Sequence, residues 1–268
     1  EDPALEISLT DAQKINANAE LGDVIKVQIQ SKEFGRIATQ NAKNVILQKI
    51  REEERKVLYD QYYGMEKEVV TGIVQRVMGK NVSINLGKAD AILAENEQVR
   101  GEEFHPTEHI KVYILEVKDT PKGPRIQVSR THPGLVKRLF ESEVAEVRDG
   151  TVEIKSIARE AGSRTKIAVW SNDPDVDPVG ACVGMNGARV NSIVEELRGE
   201  KIDIINWDEN PAILIENALS PAKVIAVMAD PDERTASVIV PDYQLSLAIG
   251  KELSLIHISE PTRPEPIS

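Results

Sequence analysis

The sequence predicts an α+β chain of several small domains. They are a partial α/β unit with a long helix, a five-stranded barrel, and two related α/β modules in tandem, the second truncated. Three observations lead there. The hydrophobic period shifts to strand spacing near residue 66 and returns to mixed structure near 132. A glycine-bearing motif recurs, around Gly184 and again around Gly250. Aromatics make up only 4% of the 268 residues, against 41% hydrophobic overall, so the cores must be built from Ile, Val, Leu and Ala. That composition suits several small units better than one large one.

Residues 1–65 read as the partial unit. Val24–Ile29 alternates like a strand, and Phe34-Gly35 precedes a long helical pattern with Ile37, Val45, Ile46, Ile50, Val57 and Leu58 near helical spacing. The run Arg51–Lys56 is its solvated face. The opening Glu1-Asp2-Pro3 is abrupt for a folded domain, so residues are expected upstream; it shows no signal-peptide pattern. No run of 18 or more apolar residues occurs, so no membrane-spanning helix is expected. The lone Cys182 rules out a disulfide framework and points to a reducing, cytoplasmic setting.

Residues 66–131 carry five strands: Val69–Val77, Val82–Leu86, Ala89–Leu93, Ile110–Val117 and Arg125–Arg130. The turns between them include Met78–Asn81 and Pro121–Pro124. Short strands without helical periodicity predict a small closed barrel of OB type.

Residues 132–208 return to mixed structure. A helix is expected over Leu135–Val147, strands over Val152–Ile157, Lys166–Trp170 and Ile202–Ile205, and a helix after Gly187. Residues 209–252 start the same order again, with a helix over Pro211–Leu219 and strands over Val224–Met228 and Ala236–Val240. Asp242–Lys251 then parallels the stretch leading to Gly184, an internal repeat. The repeat fails after Glu252: Leu253 stands where a second glycine belongs, and residues 253–268 read as a non-native tail.

The chemistry centres on Gly184-Met185-Asn186-Gly187. Two glycines three apart allow a sharp turn and leave no Cβ between backbone and ligand. The following helix aims its amino-terminal N–H groups at the phosphates of a passing strand. This is how a KH module clamps about four nucleotides. Arg189, in the first turn, is placed to reach a phosphate or stack on a base.

The order of barrel, KH and KH resembles the NusA family of bacterial transcription factors. Val183–Val190 in the first KH and Ala248-Ile249-Gly250-Lys251 in the second carry the likeness. Phe34-Gly35-Arg36-Ile37-Ala38 and the long helix resemble the end of that family's polymerase-binding amino-terminal domain. The resemblance implies tandem type II KH modules and a role in elongation, pausing, termination and antitermination. It implies single-stranded RNA, RNA polymerase and other elongation and antitermination factors as partners of a monomer. It also carries Gly250 and Lys251 over as a second RNA site, which the missing second glycine weakens.

The barrel resembles the RNA-binding domain first seen in ribosomal protein S-one. Such surfaces stack bases on aromatics, yet the strands here offer only Tyr113, with Phe104 in the preceding loop. Arg76, Lys80, Lys88, Arg100, Arg125 and Arg130 supply charge instead. Two readings stand: ordinary surface charges on a structural barrel, or an auxiliary RNA contact in which Arg76, Lys88 and Arg130 lead.

The net charge of −11 requires any RNA site to be a local patch. It also keeps a rival open, a protein-binding adaptor with little RNA affinity. An accessory RNA-binding part of an RNA-processing complex is a further alternative. Catalysis is not expected. His105, His109, His132 and His257 sit in no nucleophile pattern, Cys182 has no evident base, and no nucleotide-binding glycine loop with Lys-Ser/Thr occurs. Asp173–Asp177 lacks the central glycine and bidentate glutamate of a calcium loop, so neither metal nor cofactor is expected.

Overall fold

Helix formation begins at Ser8, whose hydroxyl accepts from the Asp11 N–H and caps α1 (Leu9–Ile15). The computed structural model describes residues 7–24, 35–230 and 235–250. Two units result, Glu1–Glu53 and Glu54–Ser268. The strand expected from Val24 to Ile29 lies outside the described residues beyond Val24. The expected long helix is α2 (Arg36–Tyr63). In the first unit its Val45, Ile46 and Ile50 are exposed. In the second, Leu58, Tyr59 and Tyr62 pack against the barrel core, and the Tyr62 hydroxyl donates to the Leu86 carbonyl at 3.1 Å.

The barrel comprises β1 (Val69–Met78), β2 (Asn81–Asn85), β3 (Asp90–Leu93), β4 (His109–Lys118) and β5 (Arg125–Ser129). It closes in the order β1-β2-β3-β5-β4, all pairs antiparallel except β3 with β5. Period-two patterning sends Val82, Ile84, Leu93, Val112, Ile114, Ile126 and Val128 inward. Gly72 is required in β1, because a Cβ there would come within 2.3 Å of Ile84 Cγ2.

The first KH module follows: α3 (Pro133–Glu143), α4 (Ala145–Arg148), β6 (Val152–Glu160), β7 (Arg164–Ser171), α5 (Pro178–Val183), α6 (Ala188–Glu196) and β8 (Lys201–Asn206). The single helix expected over Leu135–Val147 divides at Val144. That residue turns extended (φ −114, ψ 110) and is fully buried, so both α3 and α4 bring apolar side chains to one core. In the sheet β6 runs antiparallel and β8 parallel to β7. The core joins Leu135, Leu139, Phe140, Ile167, Val169, Cys182, Ile193 and Leu197. Burial pushes the Cys182 thiol up to about 11, which keeps it a small inert core residue.

A buried ion pair ties the module together. Arg159 and Glu200 meet in a two-pronged bond at 2.8 Å with both side chains fully enclosed. The Gly162 N–H and the Thr165 hydroxyl donate to the same carboxylate. Burial alone would raise the Glu200 pKa. The Arg159 guanidinium and the added donors outweigh it and hold the carboxyl below its usual range.

The second KH module contributes α7 (Pro211–Ala218), β9 (Ala226–Asp230), β10 (Thr235–Ile239) and α8 (Leu245–Ile249). Ala218 and Leu214 of α7 cover the outer face of the first module's sheet at Ala168 and Ile205. Buried Lys166 donates to the Ala218 carbonyl at the end of α7 and to that of Ser220 at 3.3 Å, with Asp203 at 3.5 Å. A cation thus caps the carbonyl end of a helix in the neighbouring module. Among the described residues β10 pairs only with β9.

Candidate nucleic-acid interface

The clamp is built by consecutive reversals of the backbone. Asp177 caps α5 by accepting from the Val179 and Gly180 N–H groups at 3.1 and 3.0 Å. Gly184 ends α5 at φ 74, ψ 174, and its N–H donates to the Gly180 carbonyl at 2.9 Å. Asn186 and Gly187 are both left-handed, at φ 53 and φ 75. Asn tolerates that conformation better than most residues, and glycine adopts it freely. The loop thrusts Met185 into solvent, 88% exposed.

The decisive feature is the start of α6. Side chains cap α3 (His132), α5 (Asp177) and α7 (Asn210), each accepting from first-turn N–H groups. At α6 the cap is Gly187, with no side-chain bond. First-turn donors are thereby left to a ligand, beside a left-handed turn that brings backbone N–H groups together. An anion, above all a phosphate, suits such a place.

Arg189 is corrected by the structure. Its Nη1 donates to the Ala181 carbonyl at 2.7 Å and to Glu146 at 3.0 Å, and its stem covers Gly184 so closely that a Cβ would meet Arg189 Cγ at 2.8 Å. It braces the loop from behind rather than reaching out to RNA. Gly184, Met185, Asn186 and Gly187 form one exposed turn, as expected.

On the barrel the expected cations part company. Arg76 is exposed on β1, and Lys88 is exposed beside Gln61 at 3.5 Å. Arg130 is a correction: it is 1% exposed and binds Glu102 at 2.6 and 2.8 Å, the Lys111 carbonyl at 2.8 Å and the Glu196 carbonyl at 3.0 Å. A guanidinium so enclosed cannot meet a phosphate. The aromatics are also engaged: Tyr113 is buried, stacked on His132 at 4.7 Å, and Phe104 lies under Arg198.

Gly250 stands at φ 73, ψ 178 at the end of α8; Lys251 lies outside the described residues. Sequence reasoning missed Lys166, Glu196, Arg198 and Glu200. Each looks like a surface charge in the sequence, and only the long-range packing reveals the partner. Among the described residues no group of three or more His, Cys, Asp or Glu is arranged to hold a metal, and no helix is long and apolar enough to cross a membrane.

The family model for the NusA N-terminal domain matches residues 1–56, that for the NusA-like first KH domain 130–207, and that for the NusA-like second KH domain 211–253. Over 250 residues the chain is 56% identical to the transcription termination/antitermination protein NusA of Bacillus subtilis, covering 93% of this chain and 67% of that protein. The chain belongs to the NusA family. A NusA of Halalkalibacterium halodurans is 54% identical over 250 residues, and one of Thermus thermophilus 43% over 251; each match covers 93% of this chain and 65% of the relative. The chain therefore spans about two thirds of the length of these NusA relatives. Its first KH match contains the whole Gly184–Gly187 turn, whereas the second ends at Leu253, just past Gly250.

Proposed function

We propose that this chain is a non-catalytic transcription elongation, termination and antitermination factor that grips nascent single-stranded RNA while bound to RNA polymerase. It acts in the cytoplasm as a monomer alongside other elongation factors. The observation that carries the reading is the uncapped start of α6 behind the exposed Gly184–Gly187 turn. Family membership supports the polymerase role through residues 1–56. The clamp in residues 132–208 is the primary RNA site, with Arg76 and Lys88 of the barrel, residues 66–131, as an auxiliary contact. Gly250 and Lys251 contribute less, for want of a second glycine in residues 209–252.

The test titrates fluorescent single-stranded RNA of about ten nucleotides with this chain and with Gly187→Asp, across a salt series. Gly187 is open enough for a side chain, since a Cβ would lie 3.2 Å from Asn191 Nδ2. Asp also accepts left-handed backbone, so the variant keeps its fold. The parent should bind with a log–log salt slope of about −0.7 per phosphate contacted. The variant should lose at least about tenfold in affinity, since a carboxylate then faces the phosphate. Equal binding by both proteins ends the clamp reading. A protein-binding adaptor would then move ahead, favoured by the net charge of −11 and by the inward engagement of Arg130 and Arg189.

A further inference from the structure

α6 carries the clamp at one end and meets the barrel at the other. Just past its C-cap Leu197, Arg198 holds φ 56. Glycine is the usual occupant of that left-handed position, and here Gly199 comes one residue too late. The arginine side chain is fully engaged. Its guanidinium donates to the Glu103 carbonyl and to Glu108 Oε1 at 2.7 Å, and lies 5.4 Å over the Phe104 ring. All three partners belong to the barrel's β3–β4 connection, which has its own left-handed non-glycine residue, Thr107 at φ 71.

Neighbouring contacts follow the same seam. Glu196 accepts from the Lys111 N–H at 3.3 Å, and its carbonyl accepts from buried Arg130 at 3.0 Å. The β6–β7 turn sits so close to the barrel that a Cβ on Gly162 would come within 2.4 Å of Val99 Cγ1. Strained backbone persists only where its surroundings over-determine it, and two such residues meet here across one seam.

We infer that Arg198 is a positioning residue of the RNA interface. By seating the C-terminal end of α6 on the barrel, it holds the Gly184–Gly187 clamp in one orientation relative to the barrel surface. RNA too long for the clamp alone is then held across both. The inference rests on the clamp reading above. α6 is a stiff arm of about 13 Å at 1.5 Å per residue, and a stiff link between two weak sites raises their effective concentration for one ligand.

Arg198→Gly tests this, because it installs the residue the backbone prefers while deleting the anchor. The full chain is titrated with single-stranded RNAs of about four and about twelve nucleotides across a salt series. Affinity for the longer RNA should fall about tenfold, affinity for the shorter should change less than about twofold, and the melting temperature should not drop. Arg198→Lys, which keeps the charge but neither the fork nor the stacking, should behave like Arg198→Gly. Rescue by lysine, with a salt slope shallower by about 0.7 in Arg198→Gly, would make Arg198 a direct phosphate contact and overturn the proposal. So would equal affinity of parent and Arg198→Gly for the longer RNA. Should the parent bind neither RNA, the clamp reading falls instead, and relaxation measurements decide the seam. Barrel and first KH module must then tumble together in the parent and separately in Arg198→Gly; common tumbling in both overturns the positioning role.

Discussion

The two KH modules begin alike and finish differently. Gly184 and Gly250 share nearly the same backbone (φ 74, ψ 174 against φ 73, ψ 178), and each donates its N–H to the carbonyl four residues earlier. Counting back from these glycines, Val179, Ala181 and Cys182 correspond to Leu245, Leu247 and Ala248. In the first module Cys182 is fully buried and the other two pack on the core. In the second, Leu245 is 50% and Leu247 43% exposed. The difference lies downstream: α6 and β8 bring Val190, Ile193, Ile202 and Ile204 over the first module, and the described part of the second stops at Gly250. Local sequence makes the turn, but segments further along make the domain.

Glu200 is where that contrast should break most visibly. It stands between α6 and β8 and ties both to β6 through Arg159. Glu200→Ala leaves the Arg159 guanidinium enclosed without a counter-charge, which costs about 3–5 kcal/mol. Denaturant unfolding checks it. A loss under about 1 kcal/mol would show that closure by α6 and β8 does not depend on the pair.

The fold was legible where periodicity is strong. The five barrel strands and α2 lie where the apolar pattern puts them, because each buries a regular face against one neighbour. The clamp was legible because glycine pairs constrain backbone directly. What escaped were the charged residues. Arg130 reads as a barrel surface cation until β5 is seen to deliver it against Glu102 and Glu196, which are distant in sequence. Tyr113 reads as a stacking platform until α3 folds over it. A charge's partner is set by tertiary packing, which leaves no periodic trace.

A matched pair of core truncations sharpens the comparison. Ile193 on α6 is 1% exposed, so Ile193→Ala should cost about 2–5 kcal/mol. Leu245→Ala, on the uncovered face of α8, should cost less than about 0.5 kcal/mol. Equal costs would mean that something covers Leu245 in solution and that the second module is closed after all. Both values come from the same urea titrations.

The smallest effect expected is the pH dependence of the closed module. The folded-state pKa of Glu200 is held below its ordinary value: burial opposes this, but Arg159, Thr165 and the Gly162 N–H prevail. Between the folded pKa and the unfolded value of about 4.3, the unfolded chain binds more protons than the folded one. The contribution of Glu200 is therefore complete above the unfolded pKa and fades as pH falls through the folded one. Trp170 and Trp207, the two tryptophans, sit edge to face at 5.7 Å at the end of β7 and just past β8, so intrinsic fluorescence reports this module. Parent protein should show an acid limb of declining stability below about pH 4.3. Glu200→Gln should flatten part of that limb, because its amide takes up no proton over the range. An unchanged limb in Glu200→Gln would assign the acid sensitivity to other carboxylates and remove the buried pair from the account of how the first module differs from the second.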